Sequence, residues 1–207
     1  MRRFGIAAAL AALLIAGCGA TVTVTAKAPT LLAPSGPQVS SCEWQTLNGC
    51  SAVPTSCAYR KDGAAALPDP TCTPGALYGP SQANPASTVC VSGFTSKIRP
   101  PVSYTEPLKL KIMAAYGVGG QSPSLYELDH LVALEDGGAP ADPRNLWPQP
   151  YASPGAHEKD AEENLLKRQV CAGKITVAEA GLSLAGNWLA SYERDKPPPE
   201  SFTLGEP

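Results

Sequence analysis

Asp129 and His130 stand side by side, and each has a chemistry that a hydrolytic centre can use. A carboxylate can hold a hard divalent cation, and an imidazole can take a proton from water near neutral pH. Asn145 follows a loop holding Gly137-Gly138, Pro140 and Pro143. Its planar amide has donors and an acceptor, so it can tie a second strand back to the His130 backbone and fix the ring. His157, the only other histidine, lies 12 residues after Asn145. Asp160 is one turn further along the same helical face and could replace or supplement it as a cation ligand. Taken singly, these residues read as a structural Asp-His pair, a turn asparagine and a solvated helix start. Their order and spacing are what make them a candidate site.

The elements that must position them can be read from periodicity. Residues 126–134 alternate as a strand, 135–144 hold the breakers of a loop, and 145–147 form a second strand ended by Pro148. From about residue 154 the pattern turns helical, with Ala161, Leu165, Leu166 and Val170 on one stripe and Gly173 as C-cap. Thr176 caps a last amphipathic helix through Ala180, Leu184, Trp188 and Leu189. Upstream, residues 89–91 suggest a short strand. Ser103 or Thr105 can cap a helix through Leu108, Ile112 and Ala115 that stops at Gly117. Strict alternation would put Asp129 and His130 on opposite faces of their strand, so a shared site requires a strand end or a bulge there.

A strand bearing Asp-His, a Gly-rich loop, a strand beginning with Asn, and a helix with a further His resembles the HNH nuclease family over about half the chain. The strings Arg99-Pro100-Pro101-Val102-Ser103-Tyr104-Thr105 and Asp142-Pro143-Arg144-Asn145-Leu146-Trp147-Pro148-Gln149 look like an exported subgroup of it. The resemblance implies a ββα-metal fold and cleavage of phosphodiester bonds in DNA, with RNA as the other candidate. It makes His130 the general base, Asn145 the residue that orients it, and Asp129 a ligand of one divalent cation. The second ligand is His157 or Asp160. Mg²⁺ or Mn²⁺ suits an Asp ligand, and a His ligand leaves Zn²⁺ or Ni²⁺ open. Arg144 and Lys159 are candidates for phosphate contact. The zinc-stapling cysteines of some HNH proteins are absent. The rival readings are a non-catalytic envelope binding lipoprotein that retains the HNH frame, and a structural lipoprotein.

The rest of the sequence speaks for export. Arg2 and Arg3 precede an apolar run too short for a mature membrane span. Leu14-Ile15-Ala16-Gly17-Cys18 resembles a bacterial lipobox, implying cleavage before Cys18, lipidation of its thiol and a place in the cell envelope. An ordinary secretory signal cut near Ala20 is the alternative. Cleavage before Cys18 removes two of the 16 basic residues and none of the 18 acids, taking the formal net charge from −2 to −4. A globally basic nucleic-acid binder is thereby excluded. A local patch remains in Lys97, Arg99, Lys109 and Lys111, against the one acid Glu106.

Of the seven cysteines, six remain for disulfides if Cys18 is lipidated, and no C-x-x-C pair favours zinc instead. Cys90 lies just before the nuclease-like segment and Cys171 ends its helix, so we expect these two to be joined. The expected architecture is α+β. Residues 1–17 form a lipoprotein signal peptide, 18–41 a flexible tether and 42–88 a disulfide-rich, loop-rich segment and linker. Residues 89–192 form the ββα-metal (HNH) core with flanking helices, and 193–207 a disordered tail.

Overall fold

The structure is a computed structural model and describes residues 36–197. The export segment, Cys18, most of the expected tether and the end of the tail lie outside the described residues. The cysteine-rich stretch is too short to bury a core of its own, and two crosslinks brace it, Cys42–Cys50 and Cys57–Cys72. Strand β1 (Gln38–Ser40) is followed by a hairpin of β2 (Arg60–Asp62) and β3 (Ala65–Leu67). Strand β4 (Ala76–Tyr78) runs parallel to β1. The end of the expected tether and the start of the expected linker are therefore paired strands. Ala65, Leu67 and Leu77 share one core with Trp147 and Trp188, so the segment packs as part of the main fold.

After β4 come a short helix α1 (Gly79–Ala83) and a run of tight turns. The strand expected at residues 89–91 is not formed, because the Cys90 and Val91 amides bond back to the carbonyls of Pro85 and Thr88. Helix α2 (Phe94–Ile98) ends at Arg99, which is extended at φ −62°, ψ 126°, as the residue before a proline prefers. Helix α3 (Val102–Ala115) starts directly after Pro101, earlier than a Ser103 or Thr105 cap would allow, and buries Leu108, Ile112 and Met113.

The centre of the chain is the antiparallel pair β5 (Tyr126–His130) and β6 (Leu146–Pro150), with Asp129 opposite Trp147 and His130 opposite Leu146. Strand β6 continues through Pro148 because its outer edge has no strand partner that would need the missing N–H. Helix α4 (Ala156–Cys171) follows, its first turn closed by the Glu158 carboxylate on the Gly155 amide at 2.7 Å. Helix α5 (Val177–Asp195) starts with a Thr176–Glu179 capping box and reaches beyond residue 192. It breaks at Asn187, whose side chain re-caps the second half by accepting from the Ala190 amide.

Cys90 is joined to Cys171, tying the turn before α2 to the end of α4. Three disulfides place the chain in an oxidising compartment outside the cytoplasm. Among the described residues no helix is long and apolar enough to cross a membrane.

Candidate functional site

Strand β5 ends at His130, and that ending puts two adjacent side chains at one site. Beyond it the chain bends and enters a single turn at Leu134–Asp136, so Asp129 and His130 both line one cavity of about 280 Å³. The loop back to β6 is held by Asn145, which is fully buried. Its Oδ1 accepts from the amides of Val132 (2.9 Å) and Ala76 (3.3 Å). Its Nδ2 donates to the carbonyls of Val132 (2.9 Å) and Ala139 (3.0 Å). The expected tie to the His130 backbone is thus displaced to Val132, two residues on, and it also grips β4. Gly138 is required at this crossing, because a Cβ there would overlap the Val132 carbonyl.

The His130 ring is oriented by a backbone carbonyl, with Nε2 3.0 Å from the oxygen of Pro140. A carbonyl only accepts, so Nε2 carries the hydrogen and Nδ1 keeps the lone pair. Burial first, then the positive charges of Arg99 and Lys159, bring the imidazole down to about 4, against the pull of the Pro140 bond. At neutral pH the ring is uncharged and open to a proton.

Lys159 is where the structure departs most from the sequence reading. Expected to meet phosphate, it is fully buried beneath the strand end. Its ammonium donates to Asp129 (2.9 Å to Oδ2), to the His130 carbonyl (2.9 Å) and to Glu163. Three acceptors use all three of its hydrogens, and none remains for a ligand. Burial alone would depress this ammonium, yet Asp129 and Glu163 outweigh it and keep the group charged. The indole of Trp147 donates to the same Asp129 carboxylate at 2.7 Å. Burial pushes Asp129 up, and Lys159 and Trp147 counter it.

Arg144, the other residue expected to meet phosphate, does not line the cavity. It binds Asp142 (Nη2 to Oδ2, 2.7 Å), which also accepts from Ser40 at 2.6 Å. His157 does not line the cavity; its side chain is 57% exposed, with Nδ1 4.0 Å from the Asp160 carboxylate. Asp160 does line it, with Glu127, Glu135 and Glu163, and Glu135 is paired with Lys167 at 3.0 Å. Glu127, raised to about 7 by burial and by the charges of Asp129 and Asp160, marks how acidic the space is. Thr95 and Arg99 also line it. The sequence offers Arg99 only as part of a local basic patch, and it does not single out Glu127 or Glu163. Alternation two residues before Asp129 was the available signal for Glu127, and the Lys-x-x-x-Glu spacing on α4 for Glu163.

The donor set bears on a cation. Asp129 is bonded on its inner side by Lys159 and Trp147, and carboxylate oxygens have further lone pairs to offer. Among the described residues no three His, Cys, Asp or Glu side chains are gathered at metal-binding spacing. One or two hard carboxylates beside an open, acidic space suit an ion that keeps much of its water, as Mg²⁺ does. Asp129 and Asp160 are the residues that fit. Comparison of the chain with protein-family models, with curated proteins and with solved structures finds no match.

Proposed function

We propose that this protein is an exported, metal-dependent nuclease of the HNH type that hydrolyses phosphodiester bonds in DNA. The observation that carries the reading is the neutral, carbonyl-oriented imidazole of His130 sharing one cavity with the carboxylates of Asp129 and Asp160. The strand–loop–strand–helix order of β5, β6 and α4 supports it, as does the Asn145 clamp. In this reading His130 takes the proton of the attacking water at Nδ1 and shares the resulting charge with the Pro140 carbonyl through Nε2. Asn145 keeps the loop behind the ring from moving. Lys159 holds the Asp129 carboxylate and the His130 carbonyl in place from below. A divalent cation held by Asp129 and Asp160 would neutralise charge on the phosphoryl and leaving oxygens. Attachment to a membrane through lipid on Cys18 belongs to the same proposal and rests on the lipobox-like junction.

Plasmid DNA incubated with the oxidised protein in Mg²⁺, Mn²⁺ or Zn²⁺, with and without EDTA, tests the reading. We expect metal-dependent nicking. We also expect His130→Ala to slow it by about 10²–10⁴-fold, the range for removal of a general base. Metal affinity should be nearly unchanged in that variant, and lowered in Asp129→Asn. A folded wild-type protein that leaves DNA intact in every metal would remove the nuclease reading. One observation favours the second reading, a non-catalytic envelope binding module: Asp129 already has a countercharge in the buried ammonium of Lys159.

A further inference from the structure

In an acidic cavity a phosphodiester gains from positive charge on the protein beside that of a cation, and most basic residues near the site are already paired. Lys159 is sealed between Asp129 and Glu163, Arg144 is bound to Asp142, and Lys167 is paired with Glu135. Arg99 is different. It lines the cavity, and the residue is exposed. Among the described residues no carboxylate lies within ion-pair distance of its guanidinium. Arg99 shares that cavity with Glu127 and His130, and its charge is felt at both.

Local structure explains why it points there. Helix α2 ends at Arg99 because Pro100 follows, and its amide closes the last turn on the Thr95 carbonyl at 3.0 Å. Thr95, one turn earlier, lines the same cavity with a hydroxyl. The Cys90–Cys171 bridge anchors the turn before α2 to the far end of α4, so the two elements that carry Arg99 and Asp160 are covalently linked.

We infer that Arg99 is the phosphate-binding residue of this site, with its guanidinium engaging non-bridging oxygens of the scissile or adjacent phosphodiester. The inference rests on the nuclease reading for its substrate. A planar guanidinium with paired donors matches phosphate oxygens in a way a single ammonium does not.

Two measurements test it. The first is kcat/KM on plasmid DNA for wild type, Arg99→Gln and Arg99→Lys, with the exposed Lys174→Gln as control. The second is binding of a short fluorescent DNA duplex in Ca²⁺ on the His130→Ala background, followed against salt. We expect Arg99→Gln to lose roughly tenfold to a hundredfold in kcat/KM, the scale of one hydrogen bond to a charged group. Arg99→Lys should recover part of that loss, and Lys174→Gln should change nothing. The slope of log affinity against log salt should shrink by roughly 0.9 for one lost phosphate contact. Arg99→Gln with wild-type binding and an unchanged salt slope overturns the assignment. If wild type cuts DNA and Arg99→Gln cuts equally well, Arg99 fails while the nuclease reading stands. If wild type binds but does not cut and Arg99→Gln binds more weakly, the nuclease reading fails and Arg99 stands. No binding by wild type removes both.

Discussion

At the residue scale, one buried lysine decides how the centre is built. Lys159 stands in a charged run at a helix start, and such a run reads as a solvated face. Its burial depends on Asp129, which only the folded chain brings within 2.9 Å. Removing the ammonium would leave two buried carboxylates, Asp129 and Glu163, without their countercharge. Lys159→Met should therefore destabilise the fold by about 3–5 kcal/mol, the usual cost of breaking a buried ion pair from one side. Urea denaturation at neutral pH measures this, and a loss below about 1 kcal/mol would show that the cluster is not held as described. His130→Ala belongs to the same scale with the opposite signature. It should act chiefly on rate, with a smaller stability cost of about 1–3 kcal/mol for the lost Pro140 bond.

At the element scale, the β5–β6 hairpin is secured by the asparagine at its base as well as by its ladder. Asn145→Ala would orphan two amides and two carbonyls in a buried loop. We expect a loss of at least about 3 kcal/mol. Faster amide exchange at Val132 and Ala76 would localise it, and unchanged protection at both amides would contradict the clamp. Much of this unit was legible beforehand. Alternation marked β5 but ran it to residue 134, past its end at His130. Leu146-Trp147 marked the return strand, which starts after Asn145 and continues to Pro150, and the Thr176 cap and apolar stripe marked α5. All of these signals are local. Strand β4 was read as linker because its partners, β1 and the Gly138 loop, are distant in sequence. Residues 89–91 have strand-forming types but meet no neighbouring edge, so turns win. His157 was singled out as an imidazole at a helix start, and the helix register instead turns Asp160 toward the cavity.

At the scale of the whole molecule, long-range ties join the cysteine-rich part to the hairpin unit. One is the Asp142 carboxylate, which accepts from Ser40 on β1 and from Arg144. Burial pushes this carboxyl up, but the Arg144 and Ser40 hydrogen bonds outweigh it and hold the group below its ordinary value. A depressed folded pKa adds stability that is present above the unfolded value of about 3.9 and is lost as pH falls through the lower folded value. Asp142→Asn should thus cost about 1–3 kcal/mol at pH 7 and nearly nothing near pH 2. Urea midpoints at the two pH values check the sign, and an equal loss at both would refute it. The Cys90–Cys171 bridge is another such tie, closing a separation of 81 residues and worth about 4 kcal/mol on the chain-entropy view. Mild reduction should lower the melting temperature and, on the proposed function, slow DNA cleavage more than modest heating to the same fraction folded. Equal rates for oxidised and reduced protein would count against this. On the proposed function the bridge has a consequence for the cell that makes this protein. In a reducing cytoplasm Cys90 and Cys171 stay thiols, and the turn before α2 is not yet fastened to α4. The bond forms only after export, so the site is completed away from the cell's own DNA.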